Sequence, residues 1–273
     1  MPRAETFFPT DNRSPAALTT GQVQSFNERG YVFPLDVFDD EGVRRNREYF
    51  DHLLQRALAA GLGSYDIAGW HTQCPGLYDL VCHARILDYV EDLLGENLIC
   101  WGSNYFAKMP GDTKRVSWHQ DAGYYPLTPA KTITAWLAID DVDEENGAMR
   151  VIPGSHLHGI IPTETSGAQE QNLLKESVRS PASYGLDPVP FQLKAGQMSL
   201  HSDFLLHGSE PNPSSRRRCG LTMRFVPPDV RALEPAWANN GVIVRGADPA
   251  GHWRDHPRPQ YEQVPTGHWL EFE

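Results

Sequence analysis

The sequence has few cysteines and no long apolar run. Its 273 residues include four cysteines, and none of them forms a CxxC pair or a zinc-finger spacing. No stretch approaches the length of a membrane span, and residues 1–15 are polar, without the apolar core of a signal peptide. We therefore expect buried thiols, no membrane partner and a reducing, cytoplasmic location.

Basic charge is also scarce. The chain has 24 Lys and Arg against 35 Asp and Glu, a formal net charge of -11, and its densest basic run is residues 216–218. A nucleic-acid partner would require a basic face, so this balance argues against one. The expected partner is a small molecule.

The apolar pattern changes period once along the chain. Helical spacing predicts helices over about 20–29, 39–58 and 77–94, and a short strand over 31–34 is expected to end at Pro34. From residue 97 the pattern is typical of short strands between turn signals. The predicted strands are 97–108, 116–121, 132–139, 148–152, 190–193, 197–201, 204–208 and 219–226. Helices followed by strands indicate an α+β, mainly β domain with a closed or double-sheet core.

One domain is expected for the whole length, 1–273. Its parts are a polar arm (1–18), a helical flank (19–95), a β core (96–226) with an insert (163–188), and an irregular C-terminal segment (227–273). The insert is predicted to hold a short helix around 169–174, and loops of this length often cover a site as a lid. The C-terminal segment is expected to pack on the domain or at a subunit contact, which would make a homo-oligomer.

Two His-x-Asp pairs are candidate metal ligands, His119 with Asp121 and His201 with Asp203. In an extended strand, positions two apart point to the same face. With a second, distant histidine, such a pair forms the facial arrangement of non-heme Fe(II) oxygenases, which leaves half of the metal's positions open.

Only the first pair has suitable distant partners. His207 lies 86 residues past Asp121, and Arg218 lies eleven residues further. A strand pair around the turn at 211–213 is expected to bring His207 and Arg218 together, so that the guanidinium binds the far carboxylate of a metal-bound dicarboxylate. For the second pair, His207 is too near in sequence to lie across a site, and the other histidines lie in the C-terminal segment with no arginine at suitable spacing. His201 is therefore predicted to be a core residue or one that supports the metal ligands.

These motifs resemble the phytanoyl-CoA dioxygenase family. The resemblance covers roughly residues 22–226 and rests on four motifs in the same order, at 118–121, 135–140, 146–156 and 207–212 with Arg218. It implies a double-stranded β-helix (jelly-roll) core, Fe(II), the cosubstrate 2-oxoglutarate, and O2. By this resemblance His119, Asp121 and His207 bind iron, and Arg218 binds the cosubstrate.

The resemblance also implies further cosubstrate contacts. Ser209 would lie beside the arginine, Trp136 would wall the cosubstrate pocket, and Asn104 would add another contact. Substrate contacts are expected from aromatic and histidine side chains around the opening, namely Trp70, His71, Tyr124, Tyr125 and His201.

The resemblance extends to the reaction. Halogenating relatives lack the metal-binding carboxylate, so Asp121 favours hydroxylation over halogenation. Cyclisation, desaturation and epimerisation remain alternatives, as does a non-redox cupin-like module that binds Zn or Ni. An acyl-CoA substrate is disfavoured, because we find no basic surface for its phosphates.

Overall fold

The computed structural model describes residues 6–167 and 171–265. The helices are α1 (Thr20–Arg29), α2 (Asp40–Ala59), α3 (Pro75–Val81), α4 (Ala84–Leu94) and α5 (Pro235–Ala238). The strands are β1 (Tyr31–Asp36), β2 (Leu98–Lys108), β3 (Val116–His119), β4 (Leu127–Thr128), β5 (Ile133–Ala138), β6 (Met149–Val151), β7 (Thr163–Thr165), β8 (Glu176–Val178), β9 (Val189–Pro190), β10 (Gln197–Ser202), β11 (His207–Ser209), β12 (Arg218–Val226), β13 (Arg231–Ala232) and β14 (Val242–Arg245). None of the helices in the described ranges has the length and apolar composition needed to cross a bilayer.

Ten of the strands form two antiparallel sheets. The larger sheet has the order β1-β10-β5-β12-β2-β14, and the smaller has the order β3-β11-β6-β9. Apolar clusters that join the two sheets include Tyr31 of β1 with Val151 of β6. This double-sheet arrangement is the jelly-roll core that the resemblance implied, so the predicted fold class is confirmed.

Strand β12 has a different environment on each of its two faces. Its odd-numbered side chains lie in the main apolar core, which is shared with the N-terminal helices; they are Cys219, Leu221, Met223 and Phe225. Its even-numbered side chains Arg218, Thr222 and Arg224 point to the cavity between the sheets. Because side chains alternate between the two faces of a strand, residues that pack in the core alternate along β12 with residues that line the cavity. All nine residues of β12 are buried.

The helical flank differs from the prediction at one break. Helix α1 begins with a capping box of Thr19 and Gln22 and ends at Gly30, as expected. The helix predicted over 77–94 is instead α3 and α4. His83 between them has an extended backbone (φ -66°, ψ 121°), whereas the apolar spacing continues across the break. That continuity made two helices look like one.

The larger sheet is not confined to residues 96–226. Strand β1 continues through Pro34 to Asp36, because it lies at the sheet edge, where a missing N–H group is tolerated. Strand β14 of the C-terminal segment pairs with β2 at the other edge, so the prediction of a wholly irregular segment was wrong. The strand predicted over 204–208 begins only at His207.

The insert 163–188 carries the β7–β8 hairpin. The helix predicted around 169–174 is absent from residues 171–174, and residues 169 and 170 lie outside the described ranges. The insert is attached to β3 because Leu173 N donates to Arg115 O at 3.0 Å and Ser117 N donates to Asn172 Oδ1 at 2.8 Å. Leu173 thereby reaches the cavity wall. That the insert moves as a lid stays a prediction.

Candidate metal centre

His119 and His207 are direct cross-strand partners in the β3–β11 pair. Their rings are 4.1 Å apart between centroids. The Nδ1 of His119 lies 2.8 Å from Ser117 O, and the Nδ1 of His207 lies 2.9 Å from Leu205 O. A carbonyl only accepts a hydrogen bond, so each Nδ1 carries the proton and each Nε2 keeps its lone pair for a ligand.

Asp121 lies just beyond β3, at the start of a 3-10 helix. The strand is shorter than predicted, but Gln120 keeps an extended backbone (φ -113°, ψ 130°), so Asp121 remains on the same side as His119. Its Oδ1 is 3.6 Å from Nε2 of His119 and 3.9 Å from Nε2 of His207. Thr134 Oγ1 donates to the other oxygen at 3.4 Å.

These three side chains fit a divalent metal ion. Their ligand atoms lie within 4.8 Å of one another, and all three residues are buried. Two atoms that bind one ion at about 2.1 Å are at most about 4.2 Å apart, and both imidazole–carboxylate distances satisfy this limit. Two nitrogens and one oxygen on one side of an ion are typical of non-heme Fe(II) sites.

Electrostatics keep the centre in its ligand form at neutral pH. Burial and, to a smaller extent, the adjacent His119 lower the pKa of His207 to about 3. Burial acts to raise the pKa of Asp121, but the neighbouring His119, His207 and Arg224 hold it well below its usual range. A neutral imidazole faces a carboxylate, as a metal requires.

The centre opens into a cavity of about 250 Å³ between the two sheets. The larger sheet contributes Asn104, Phe106, Thr134, Trp136, His201, Arg218, Thr222 and Arg224, and the smaller sheet contributes Val116, His119, Met149, His207, Gly208 and Ser209. The cavity is therefore where a cosubstrate and a substrate would meet the metal.

Arg218 is buried at one end of this cavity. Its Nε and Nη2 donate to Gly147 O at 3.0 and 2.8 Å, and its guanidinium lies 5.4 Å from the Trp136 ring centroid. Burial lowers the pKa of Arg218 to about 10, so it remains a cation at neutral pH. Its Nη1 makes no hydrogen bond with the residues that the structure describes, which leaves that edge for an anionic ligand.

Trp136 lies flat across β12 because residue 220 is glycine. A Cβ at Gly220 would be 2.0 Å from Cζ2 of Trp136, which no side chain tolerates. The indole is thereby held between Arg218 and Thr222, on the cavity side of the larger sheet. Trp136 therefore lines the cavity, and that it walls the cosubstrate stays a prediction.

The strand pair that was predicted to bring His207 and Arg218 together is not formed. The two residues do not form a hairpin, because β11 belongs to the smaller sheet and β12 to the larger. Both side chains line the cavity from opposite sheets. Ser209 also lines it, and its carbonyl accepts from the buried Lys108 Nζ at 3.3 Å. Packing of the sheets, not a local turn, assembles this region.

The other predicted site residues divide into two groups. Tyr124, Tyr125, His201 and Asn104 line the cavity. Trp70 and His71 do not, and the prediction that they border its opening needs correcting. They lie in a 3-10 helix at Trp70–Thr72 and are 1% and 0% exposed.

His71 is held inside the fold by hydrogen bonds at both ring nitrogens. Its Nδ1 lies 2.9 Å from Ser103 Oγ, and its Nε2 lies 3.1 Å from Asn240 O. Burial lowers the pKa of His71 to about 4. The side chain ties the segment before α3 to the C-terminal segment as a neutral imidazole.

This burial predicts a pH-dependent stability. His71 titrates near 6.5 in the unfolded chain and near 4 in the fold, so between these values only the unfolded state takes up the proton. Stability contributed by His71 is therefore present above pH 6.5 and is lost as the pH falls towards 4, by up to about 1.4 kcal/mol per pH unit. Denaturant unfolding from pH 7 to 4.5 should show a smaller slope for His71→Gln than for the wild type.

The control for this experiment is His158→Gln, at an exposed histidine. It should keep the wild-type slope. Equal slopes for His71→Gln and the wild type would show that His71 is not the titrating group.

The second His-x-Asp pair is not a metal site. Asp203 Oδ2 accepts from Thr132 N at 3.1 Å and its Oδ1 accepts from Ser202 Oγ at 3.3 Å, so the carboxylate fixes a turn. Only His201 of this pair lines the cavity. Among the residues that the structure describes, His119, Asp121 and His207 are the one group of side chains close enough to share an ion.

Arg224 is the cavity residue that the sequence reasoning missed. It is 4% exposed, its Nε donates to Tyr125 Oη at 2.6 Å, and its Nη1 donates to Asn104 Oδ1 at 2.7 Å. Burial acts to lower its pKa, but Tyr125 and Asp121 raise it, so Arg224 stays charged. The alternation of polar and apolar residues from 218 to 225 was a signal that would have pointed to it.

Comparisons with known proteins agree with this geometry. The family model "Phytanoyl-CoA dioxygenase (PhyH)" matches residues 26–220. A probable alpha-ketoglutarate-dependent hypophosphite dioxygenase of Stutzerimonas stutzeri is 32% identical over 166 residues, which cover 60% of this chain and 57% of the relative. The chain spans 57, 63 and 50% of the first three curated relatives.

Solved structures give the same result. The non-heme monooxygenase ThoJ is 28% identical with a TM-score of 0.75, and 88% of each chain is covered. The alpha-ketoglutarate-dependent carbocyclase SnoK from nogalamycin biosynthesis is 26% identical with a TM-score of 0.63, covering 80% of this chain and 89% of SnoK.

A jelly roll with two tautomer-fixed histidines and a carboxylate beside a buried arginine defines the class of non-heme Fe(II) and 2-oxoglutarate proteins. Within that class, the chain belongs to the phytanoyl-CoA dioxygenase family. Its cofactors are Fe(II), 2-oxoglutarate and O2.

Proposed function

We propose that the protein is an oxygenase that hydroxylates a C–H bond of a small molecule and forms succinate and CO2 as co-products. One observation carries this proposal. His119, Asp121 and His207 lie on one side of a cavity that also contains a buried arginine with an unpaired edge. Fe(II) held there would supply oxygen activation with 2-oxoglutarate, and the chain supplies placement and exclusion of water.

Each end of the cosubstrate has a defined counterpart in this proposal. The metal ligands would hold the keto-acid end, and Arg218 would bind the far carboxylate through its Nη1 edge. The guanidinium of Arg218 is already held by two hydrogen bonds to Gly147 O and by contact with the Trp136 ring. Little side-chain entropy is therefore lost when the cosubstrate binds.

A small substrate is supported by the size of the cavity. About 250 Å³ is at or below the lower end of small-molecule pockets, roughly 300–1,000 Å³, and part of it is needed for 2-oxoglutarate. This volume supports a small free molecule over a coenzyme A thioester as the substrate. The names of two relatives mention hypophosphite and nogalamycin biosynthesis. Because these differ, the substrate of this protein cannot be taken from either relative. A cytoplasmic location and a homo-oligomer stay predictions.

Hydroxylation is one of several outcomes open to such a centre. With iron bound, Asp121 would fill the coordination position that a halide would need, which supports oxygenation over halogenation. Ring closure is the second candidate, because the carbocyclase SnoK is among the similar structures. Desaturation and epimerisation would use the same residues with a differently placed C–H bond. A non-redox Zn or Ni module is disfavoured by Arg218, which such a module does not need.

Two measurements test this proposal. Addition of Fe(II) and 2-oxoglutarate under argon should give a weak visible absorption band, and air with a substrate should then release succinate. A screen would cover amino acids, small amines, phosphonates, terpenoids and sugar-derived scaffolds. Product mass separates hydroxylation, which adds one oxygen, from desaturation or ring closure, which removes two hydrogens.

The control is His119→Ala, in which both the band and the succinate should be lost. If fully iron-loaded wild-type protein shows no band, the oxygenase proposal fails and the metal-binding module is favoured.

A further inference from the structure

The cavity contains a second buried arginine, at the opposite end of β12 from Arg218. Arg224 lies six residues along the same face of the strand, so the two Cα atoms are roughly 20 Å apart. Both side chains line the cavity that holds the metal centre. If Arg218 binds the cosubstrate, as proposed above, Arg224 is left facing the remaining space.

The hydrogen-bond partners of Arg224 are neutral. Its Nε is bonded to the hydroxyl of Tyr125 and its Nη1 to the amide oxygen of Asn104. Its Nη2 makes no hydrogen bond with any residue that the structure describes. The rings of Trp101 and Tyr125 lie against the guanidinium, at 5.8 and 5.5 Å from their centroids. The side chain is thus held in place with one donor edge unused.

No carboxylate of the described residues forms an ion pair with Arg224. Asp121 and Asp66 are the carboxylates that line the cavity. Asp66 accepts from Gly63 N at 2.6 Å, and Asp121 is a metal ligand in the proposed function. Asp121 stabilises the charge of Arg224 only from a distance, without a direct ion pair. An anionic ligand at the unused donor edge would stabilise this buried cation further.

The charges of the metal, the cosubstrate, Asp121 and Arg218 balance without Arg224. Fe(II) adds two positive charges and Arg218 one, whereas 2-oxoglutarate adds two negative charges and Asp121 one, so these four groups sum to zero. Arg224 remains as one positive charge on the substrate side, beside the aromatic walls of Tyr124 and Tyr125.

We propose that the substrate carries an anionic oxygen group, a carboxylate or a phosphonate, which binds the Nη2 edge of Arg224 and directs the rest of the molecule towards the metal centre. This inference rests on the proposed function for the position of the cosubstrate. It narrows the substrate to acids whose reactive carbon lies between the anion and the iron.

Binding of probe anions tests this without turnover. The Fe(II)- and 2-oxoglutarate-loaded protein would be titrated under argon, by calorimetry, with benzoate, phenylphosphonate and the neutral benzamide. Both anions should bind at least about tenfold more tightly than benzamide, because a charge-assisted hydrogen bond is roughly twice as strong as a neutral one. The tighter of the two identifies the acid class. The visible band in the same sample reports cofactor loading, so a failure of the proposed function is seen separately.

Variants assign the binding to Arg224. Arg224→Gln should abolish the preference for anions, whereas Arg231→Gln, at an exposed arginine, should keep it. Asn104→Asp would place a carboxylate where the amide oxygen is now 2.7 Å from Nη1, so it should abolish anion binding while Arg224 is retained. Asn104→Asp therefore tests the same proposal if Arg224→Gln does not fold.

Two results would overturn the proposal. One is equal affinity of the loaded wild-type protein for benzoate and benzamide. The other is weaker 2-oxoglutarate binding in Arg224→Gln with unchanged binding of probe anions, which would assign Arg224 to the cosubstrate.

Discussion

Replacement of His207 by glutamine is expected to lower the affinity for Fe(II) by at least about 100-fold and to abolish succinate formation. Loss even of a group that only supports a metal ligand costs about 10–100-fold, and His207 is itself a proposed ligand. Its Nε2 is 3.9 Å from the Asp121 carboxylate, and its Nδ1 proton is held by Leu205 O. A glutamine would keep roughly the size of the side chain but replace the imidazole nitrogen by a weaker amide-oxygen donor. Iron content after gel filtration measures the effect.

The matched control is His201→Gln. His201 is a buried cavity histidine whose ring lies 5.1 Å from that of His207, but it is outside the three-residue metal group. Iron retention in this variant should stay near the wild-type value, even if substrate oxidation changes. Equal iron loss in both variants would mean that the histidines of the two motifs share the metal, contrary to the assignment made here.

Much of the metal centre could be predicted from the sequence because it depends on local rules. The alternation of side chains in an extended strand places His119 and Asp121 on one side, and this survived although β3 ends two residues earlier than predicted. The position of His207 beside His119 follows from the order of the strands in a jelly roll. The jelly roll itself was implied by the family resemblance. Direct pairing of His207 with His119 then needs only the register of two strands.

Long-range packing made other parts unpredictable from the sequence. The motif before α3, with Trp70 and His71, looked like a cavity border because of its residue types, but the fold buries it against the C-terminal segment. Strand β14 was missed because its partner β2 lies about 140 residues earlier in the chain. Arg224 was overlooked although polar and apolar residues alternate from 218 to 225, because the run is buried on both faces and was read only as a strand.

Replacement of Arg218 by methionine is expected to raise the KM for 2-oxoglutarate by at least about 30-fold. Truncating one partner of a buried charged hydrogen-bonded pair costs about 2–5 kcal/mol, and about 1.4 kcal/mol corresponds to tenfold in affinity. The methionine keeps contact with Trp136 but removes the charge and both hydrogen bonds to Gly147 O. Steady-state succinate formation at varied 2-oxoglutarate measures the change.

A second cosubstrate separates charge recognition from general damage at this position. 2-Oxopentanoate has the keto acid of 2-oxoglutarate but no far carboxylate, so wild-type protein should discriminate strongly against it. In Arg218→Met that discrimination should nearly disappear, because the group that binds the far carboxylate is gone.

Arg217→Gln is the matched control. The guanidinium of Arg217 bonds Asp140 at the surface of the larger sheet, and its loss should leave the discrimination intact. If Arg218→Met only lowers the melting temperature and keeps the preference for 2-oxoglutarate, then Arg218 merely supports Gly147 and the far carboxylate binds elsewhere in the cavity.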